Sequence, residues 1–312
     1  MTKDELKKLQ LTIIKKNKKI NRIMTIIFLF FASITFILML LSLTTPSLKE
    51  YFIFSIILLI FEVIISLIIT TAVKIGFLGD DTRKFKKEFK DIFILDALNK
   101  NFENVEYNPD KGIDEKIIEN NGMMYLGDRY TSNDYVSGTY KNINFIQSDV
   151  HIEEKKKVED SDGEIKEEWE TIFLGRWMIF DFNKNFKANI FVSDYYPFLQ
   201  NKGYKEISLE DEEFNKLFNV YAEDEHEAYY VLTPHFMEKL KKLKKELNCG
   251  VLFYFVESKL HVAVNNFKDS FEPNLSKIIN EEEIENNITK DIKLITDLVV
   301  DLNLENDLFK ME

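Results

Sequence analysis

The chain has one cysteine, Cys249, so it can form no internal disulfide, which agrees with a reducing compartment. It also lacks a glycine-rich loop to cradle phosphate, a Gly-x-Ser-x-Gly elbow and a Cys-x-x-Cys pair, so no motif supports P-loop, serine-hydrolase or dithiol chemistry. Its four histidines, His151, His226, His235 and His261, are dispersed. His226-Glu227 opens like a zinc-protease helix, but Tyr230 stands where the second imidazole is needed. Reading Asp160 to Gly163 as a calcium loop puts Val158 and Trp169 at positions that require oxygen ligands. No cofactor, no metal and no catalytic residue is therefore assigned. Excess positive charge is missing from the larger part of the chain: residues 80–312 hold 31 Lys/Arg against 49 Asp/Glu. A surface of that sign is repelled by phosphate backbones, which excludes nucleic acid as a partner.

Charge is nearly absent from two runs, residues 23–43 and 51–73, which hold 21 and 23 residues with Glu62 as the one charged side chain. About 20 helical residues span a hydrocarbon core, so these runs predict a transmembrane hairpin joined by Thr44 to Glu50. Lys3, Lys7, Lys8, Lys15, Lys16, Lys18, Lys19 and Arg22 precede it, and Lys74, Arg83, Lys84, Lys86, Lys87 and Lys90 follow it. Positive flanks stay inside, so a multi-pass protein with both termini cytoplasmic is expected. A cleaved signal peptide fits badly, because a second span follows at once with no small-residue cleavage pattern. Residues 1–22 form a basic segment with Leu6, Leu9, Ile13 and Ile20 at roughly helical spacing. That segment suits anionic inner-leaflet lipid or serves topology alone, and both readings stay open.

Within the hairpin, Thr25, Ala32, Thr35 and Ser42 share one face of the first helix, and Ser55, Glu62, Ser66 and Thr70 share one face of the second. Antiparallel pairing sets Thr35 at the depth of Glu62, so Glu62 is expected to be neutral and hydrogen-bonded to Thr35. An acid at that depth also suggests a proton or ion relay, which two helices could not enclose without a partner.

Residues 74–105 read as a connecting amphipathic helix, with Asp80, Asp81 and Thr82 as candidate N-caps and Phe85, Phe89, Ile92 and Phe93 on one stripe. Residues 106–312 then read as an α+β domain with a largely antiparallel sheet flanked by helices. Its expected elements are a short helix from Asp114 to Asn120, and strands Tyr135 to Tyr140, Ile143 to Glu154, Glu168 to Phe182 and Ala188 to Ser193. The first two flank a Lys141-Asn142 turn, and another turn lies at Asn183 to Asn185. Placing the tip of the next hairpin between Ser161 and Asp162 sets Lys155 opposite Glu168 and Lys156 opposite Glu167. A capping box at Ser208 and Asp211 starts a helix to Leu217, and Thr233-Pro234 starts one that ends at Asn248 and Gly250. A hairpin of Val251 to Val256 with Leu260 to Asn265 follows, then a helix from Asn280 to Leu302.

The densest polar cluster is Glu223, Asp224, Glu225, His226 and Glu227, and Asp149 with His151 makes a second, smaller group. Crowded carboxylates beside an imidazole could do acid-base work or hold a divalent ion, which would make a hydrolase. A solvated turn is the ordinary explanation for such a run, and no nucleophile accompanies it.

Asp134-Tyr135-Val136-Ser137-Gly138, Ser148-Asp149-Val150-His151, Phe173-Leu174-Gly175-Arg176-Trp177, Asp181-Phe182-Asn183-Lys184, Val220-Tyr221-Ala222-Glu223-Asp224, Glu227-Ala228, Leu232-Thr233-Pro234 and Phe271-Glu272-Pro273 follow one another in order. The series resembles the bacterial domain of unknown function 3137 family, membrane-anchored and sometimes labelled galanin-like, over roughly residues 80 to 302. The resemblance implies a protein of the bacterial cytoplasmic (inner) membrane with a cytosolic domain and no assigned activity. Taken together, the residues point to a tethered, non-enzymatic interaction or adaptor domain. Its partners would be the lipid bilayer, a membrane or cytosolic protein, or a second copy. The alternatives are a hydrolase on Asp224 and His226, and an accessory subunit of a transporter that uses Glu62.

Overall fold

The computed structural model describes residues 1–45, 50–119, 125–159, 164–181, 186–194, 203–302 and 304. They form two units, Met1–Ile92 with Pro273–Glu281, and Phe93–Glu272 with Glu282–Glu312. The division assigns residues 273–281 to the helical unit, although the sequence places them inside the 106–312 domain.

In the first unit α1 (Lys3–Thr44) is one continuous helix of 42 residues, so the basic segment and the first apolar run are a single element. A reciprocal capping box starts it: Glu5 N donates to Thr2 Oγ1 at 3.2 Å and Thr2 N donates to Glu5 Oε2 at 2.9 Å. The second helix, α2 (Tyr51–Phe89), passes unbroken through Asp80, Asp81 and Thr82, where a new helix start was expected. A cap forms only where the backbone leaves helical dihedrals, and here Asp80 pairs with Arg83 at 2.7 Å and Asp81 with Lys16 at 2.6 Å from the helix surface. A π-turn (Lys90–Ile94) and α3 (Leu95–Asn101) follow in the chain, with the boundary between the units falling after Ile92. Both long helices are long and apolar enough to cross a membrane.

Leu6, Gln10 and Ile13, at i, i+4 and i+7 of α1, are buried within protein. Two of the four apolar residues expected to face lipid therefore serve internal packing. Gln10 grips the returning segment: its Nε2 donates to Asn274 O at 3.1 Å and Lys277 O at 2.6 Å, and its Oε1 accepts from Ile279 N at 2.7 Å. Glu281 adds ion pairs to Lys3 and Lys7.

The second unit is an antiparallel sheet of nine described strands: β1 (Glu103–Asn108), β2 (Arg129–Tyr140), β3 (Ile143–Glu159), β4 (Ile165–Asp181), β5 (Ile190–Ser193), β6 (Lys205–Ile207), β7 (Asn219–Ala222), β8 (Gly250–Val256) and β9 (Lys259–Asn265). Their order is β1-β2-β3-β4-β9-β8-β5-β7-β6, and every described pair is antiparallel. Helices α4 (Glu115–Glu119), α5 (Glu212–Leu217), α6 (Glu225–Val231), α7 (Pro234–Leu247) and α8 (Glu281–Asp301) complete the α+β architecture. β8 and β9 are buried almost throughout, as their unbroken runs of apolar and aromatic residues require.

The β2–β3 hairpin turns on Lys141 and Asn142, both at positive φ, which matches the right-handed twist of its strands. The next hairpin pairs Lys156 with Glu168 and Lys157 with Glu167, one residue from the expected register, while Lys155 faces Trp169. Centring the tip half a residue early shifts every cross-strand partner by one; Asp160 to Gly163 themselves lie outside the described residues, as do the whole Asn183 to Asn185 turn and most of the expected outer loop. Asp211, not Ser208, caps α5, accepting from Phe214 N at 2.9 Å. Thr233 caps α7 with Pro234 at its first position, and Asn248 ends it in the left-handed region. Gly175 lets β4 and β9 close: a Cβ there would lie 2.0 Å from Val264 O.

Candidate functional site

The β1–β4 half of the sheet carries two buried acids, Asp134 and Asp149, with the exposed Asp269 beside them. Asn133 pairs with Asp149 and Val136 with Gln147, so Asp134 and Tyr135 form a bulge in β2. Asp134 adopts φ 54°, a conformation that aspartate tolerates, and is 1% exposed. Its Oδ1 accepts from the Tyr107 hydroxyl at 2.5 Å and its Oδ2 from Asn133 Nδ2 at 2.9 Å. Asp149 on β3 is 4% exposed, and its Oδ2 accepts from Ser270 N at 2.5 Å. The carboxylates of Asp134, Asp149 and Asp269 offer oxygens that lie within 4.8 Å of one another.

Arg176 stands opposite Asp149 across β3 and β4 and is buried too. It donates from Nη1 to Asp291 O at 2.7 Å and pairs through Nη2 with Asp291 Oδ1 at 2.9 Å, while its guanidinium lies 5.4 Å from the centre of the Phe271 ring. The cluster thus joins β1, β2, β3, β4, the loop after β9, and α8.

Burial lifts Asp149 well above the usual carboxylate range; the Arg176 charge pulls the other way, and the neighbouring Asp269 adds to the rise. Burial and the Asp134 charge likewise push the Tyr107 phenol up, so it remains a hydrogen-bond donor. Asp134, Asp149 and Asp269 are the oxygen donors that could hold a hard divalent cation. Both oxygens of Asp134 already accept hydrogen bonds, however, and Ser270 holds one of Asp149, which makes the arrangement an internal latch. Two residues before Asp149 on the same strand, Gln147 is buried, and its Oε1 accepts no hydrogen bond among the described residues.

The sheet separates the two halves of the expected polar cluster. His151, half-buried on β3, is 2.9 Å from Thr171 Oγ1 through its Nε2. Asp224 caps α6, accepting from His226 N at 2.7 Å; Glu225 accepts from the Tyr229 hydroxyl at 3.3 Å; His226 is exposed. The strand preceding α6, β7, stands five places from β3 in the sheet. At roughly 4.8 Å per strand that is about 24 Å. Sequence reasoning missed Asp134, Arg176 and Asp269 as site residues. The available signal was Arg176, the sole charge between Phe173 and Phe180 in an apolar strand.

A second buried polar group needs no acid. His261 is 1% exposed and its Nδ1 accepts from Trp177 Nε1 at 3.3 Å; burial, aided by the Lys259 charge, lowers the imidazole to about 3, so the ring is neutral. In the helical unit the Thr35 hydroxyl donates to Glu62 Oε1 at 2.5 Å, and the enclosed Oε2 of Glu62 has no hydrogen-bond partner among the described residues. One turn along α2, Ser66 and Thr70 face Asn21 and Thr25 across an open cleft of about 150 Å³.

Residues 171–304 match a family model described as a protein of unknown function (DUF3137). The match begins in β4, later than the motif series that starts at Asp134. No curated protein matches the sequence. Among solved structures, the crystal structure of the mycobacterial trehalose monomycolate transport factor A, TtfA, is similar over 70% of this chain and 95% of that chain, at 8% identity and a TM-score of 0.35. A likeness so distant informs neither activity nor partner.

Proposed function

We propose that this chain, whose residues 171–304 belong to the DUF3137 family, is a membrane-anchored adaptor with no catalysis of its own. In this reading α1 and α2 cross the cytoplasmic membrane of a bacterium as a hairpin, both termini lie inside, and the sheet unit offers a protein-binding surface to the cytosol. The observation that carries it is the apolar band of α1 and α2, where residues such as Ile53 at 69%, Leu67 at 71% and Phe77 at 73% exposure have no protein cover. Apolar surface gains about 25 cal/mol per Å² on leaving water, and a band this long finds cover in lipid. The adaptor role is supported by what the polar groups do. The converging acids are latched to their own loop and helix, the buried histidine is a neutral acceptor, and the Asp224 cluster caps a helix in water.

Carbonate washing is expected to leave the full chain in the membrane pellet. Protease should cut the sheet unit in inside-out vesicles and spare it in intact cells. Cross-linking before mild extraction should recover the chain with a stoichiometric partner or a second copy. Stripping by carbonate would overturn the anchor, and a lone monomer after cross-linking would overturn the adaptor.

A second reading, an accessory subunit of a transporter, is favoured by the Thr35–Glu62 contact and the unpartnered Oε2. Glu62→Gln keeps an acceptor for Thr35, so an assembly contact should survive with stability changed by less than about 1 kcal/mol. Loss of partner transport with assembly intact would favour the relay instead.

A further inference from the structure

We propose that the groove between α6, α7 and the loop before α5 seats a short segment of a partner protein that presents a large apolar side chain flanked by Lys or Arg. The inference rests on the adaptor reading and supplies the partner's chemistry. The groove has a volume of about 750 Å³ and opens to solvent. That lies within the roughly 300–1,000 Å³ range of ligand-sized sites, enough for a few side chains of a docked segment. Leu209, Leu232 and Met237 form its floor, each buried by the domain itself, and Tyr229 stands as an aromatic wall with 41% exposure. The Tyr229 hydroxyl shares its one proton between two acceptors, Ser208 O at 3.1 Å and Glu225 Oε1 at 3.3 Å, which holds the ring upright without closing the floor. A rigid aromatic beside an apolar floor is what anchors a partner's large side chain.

Charge selects the flanking residues. Glu210, Asp211 and Glu238 line the groove, and Glu225 and Glu213 stand beside it through their bonds to Tyr229 and Lys241. Against these five carboxylates are two ammonium groups: Lys241, with a side chain only 4% exposed, bonded to Asp211, Glu213 and Glu238, and Lys245, bonded to Glu213. Further along α7, Lys242 pairs with Asp301 and Lys244 with Asp194. Glu210 makes no ion pair among the described residues. The lip is therefore net negative with an apolar floor, complementary to a cationic segment with an apolar anchor, and contact at such a rim weakens as salt rises.

The test uses the full chain in nanodiscs of zwitterionic lipid with methyl-labelled methionine, the Met237 signal being identified by Met237→Leu. Three 12-residue probes are compared: a Leu/Lys peptide, a Leu/Glu peptide and a Ser/Lys peptide. The Leu/Lys peptide alone should shift the Met237 methyl saturably, and Glu210→Lys or Tyr229→Ala should weaken it at least tenfold with the other methionine signals unmoved. Equal binding of the Leu/Glu or Ser/Lys peptide, a Met237 signal that stays still, or full binding by Glu210→Lys would overturn the proposal. So would a concentration-dependent dimer abolished by Glu210→Lys, which would make a second copy the occupant. If membrane cross-linking recovers the same partner with wild type and Glu210→Lys, the groove assignment fails while the adaptor reading stands.

Discussion

Arg176→Ala is expected to destabilise the sheet unit by about 3–5 kcal/mol, the usual consequence of deleting one side of a buried ionic group. Arg176 is 2% exposed, and without it Asp149, at 4%, would keep a carboxylate neighbour and lose the positive charge that favours its ionised form. The two contacts to Asp291 would go as well, so amides of α8 should exchange faster than those of β8 and β9. Denaturant unfolding of the full chain in micelles, with exchange read by mass spectrometry, measures both. Arg176→Met with Asp149→Asn should recover a good part of the loss, because it removes both charges together. A change under about 1 kcal/mol for Arg176→Ala would mean that the cluster fastens nothing.

Acid should weaken the same unit well before ordinary carboxylates titrate, and His261 is the reason. An unfolded imidazole gains a proton near 6.5, whereas the buried one resists until about 3. The stability due to neutral His261 is fully present above pH 6.5 and is lost as pH falls, at up to about 1.4 kcal/mol per unit, or about 3 kcal/mol by pH 4.5. Asp149 works in the opposite direction. Its folded value is raised, so its contribution is present below the ordinary 3.8 and lost as pH rises through the folded value. Asp211, held low chiefly by its bond to Lys241, adds its loss only at the acid end, as pH falls below the unfolded carboxylate value. Between pH 4.5 and 7 the His261 and Asp149 slopes oppose each other, so the imidazole's share is read as the difference between thermal melts of wild type and of a His261 variant. His261→Gln, which keeps an acceptor for Trp177, should flatten or reverse the slope seen in wild type, and an unchanged slope would exclude His261 as its source.

Local signals in the chain were sufficient for the apolar runs, the Lys141-Asn142 hairpin and the α7 caps, because propensity, turn chemistry and burial agree there. They failed where the deciding contact is remote. Nothing near Ser270 announces that its amide will meet Asp149, 121 positions earlier, and Arg176 meets Asp291 across 115. β1 was missed because its alternation is carried by only two apolar residues, Val105 and Tyr107, a signal too short to stand out among polar neighbours. The Asp224 cluster attracted notice through crowding in sequence, while the acids that do converge come from β2, β3 and the loop after β9. Within the helical unit, equal-depth counting sufficed to put Thr35 beside Glu62, since two antiparallel helices leave little freedom of register.

Gln10 has a consequence for how this protein can be divided. The chain leaves the helical unit after Ile92, builds the sheet, comes back at Pro273 to be stitched onto α1, and departs again into α8. One incision therefore cannot free the headpiece: a fragment begun anywhere in residues 74–105 would carry a stretch of polypeptide severed from its seat. The first dozen residues, easily dismissed as a convenient place for a tag, are the seat on which residues 274–281 are fastened.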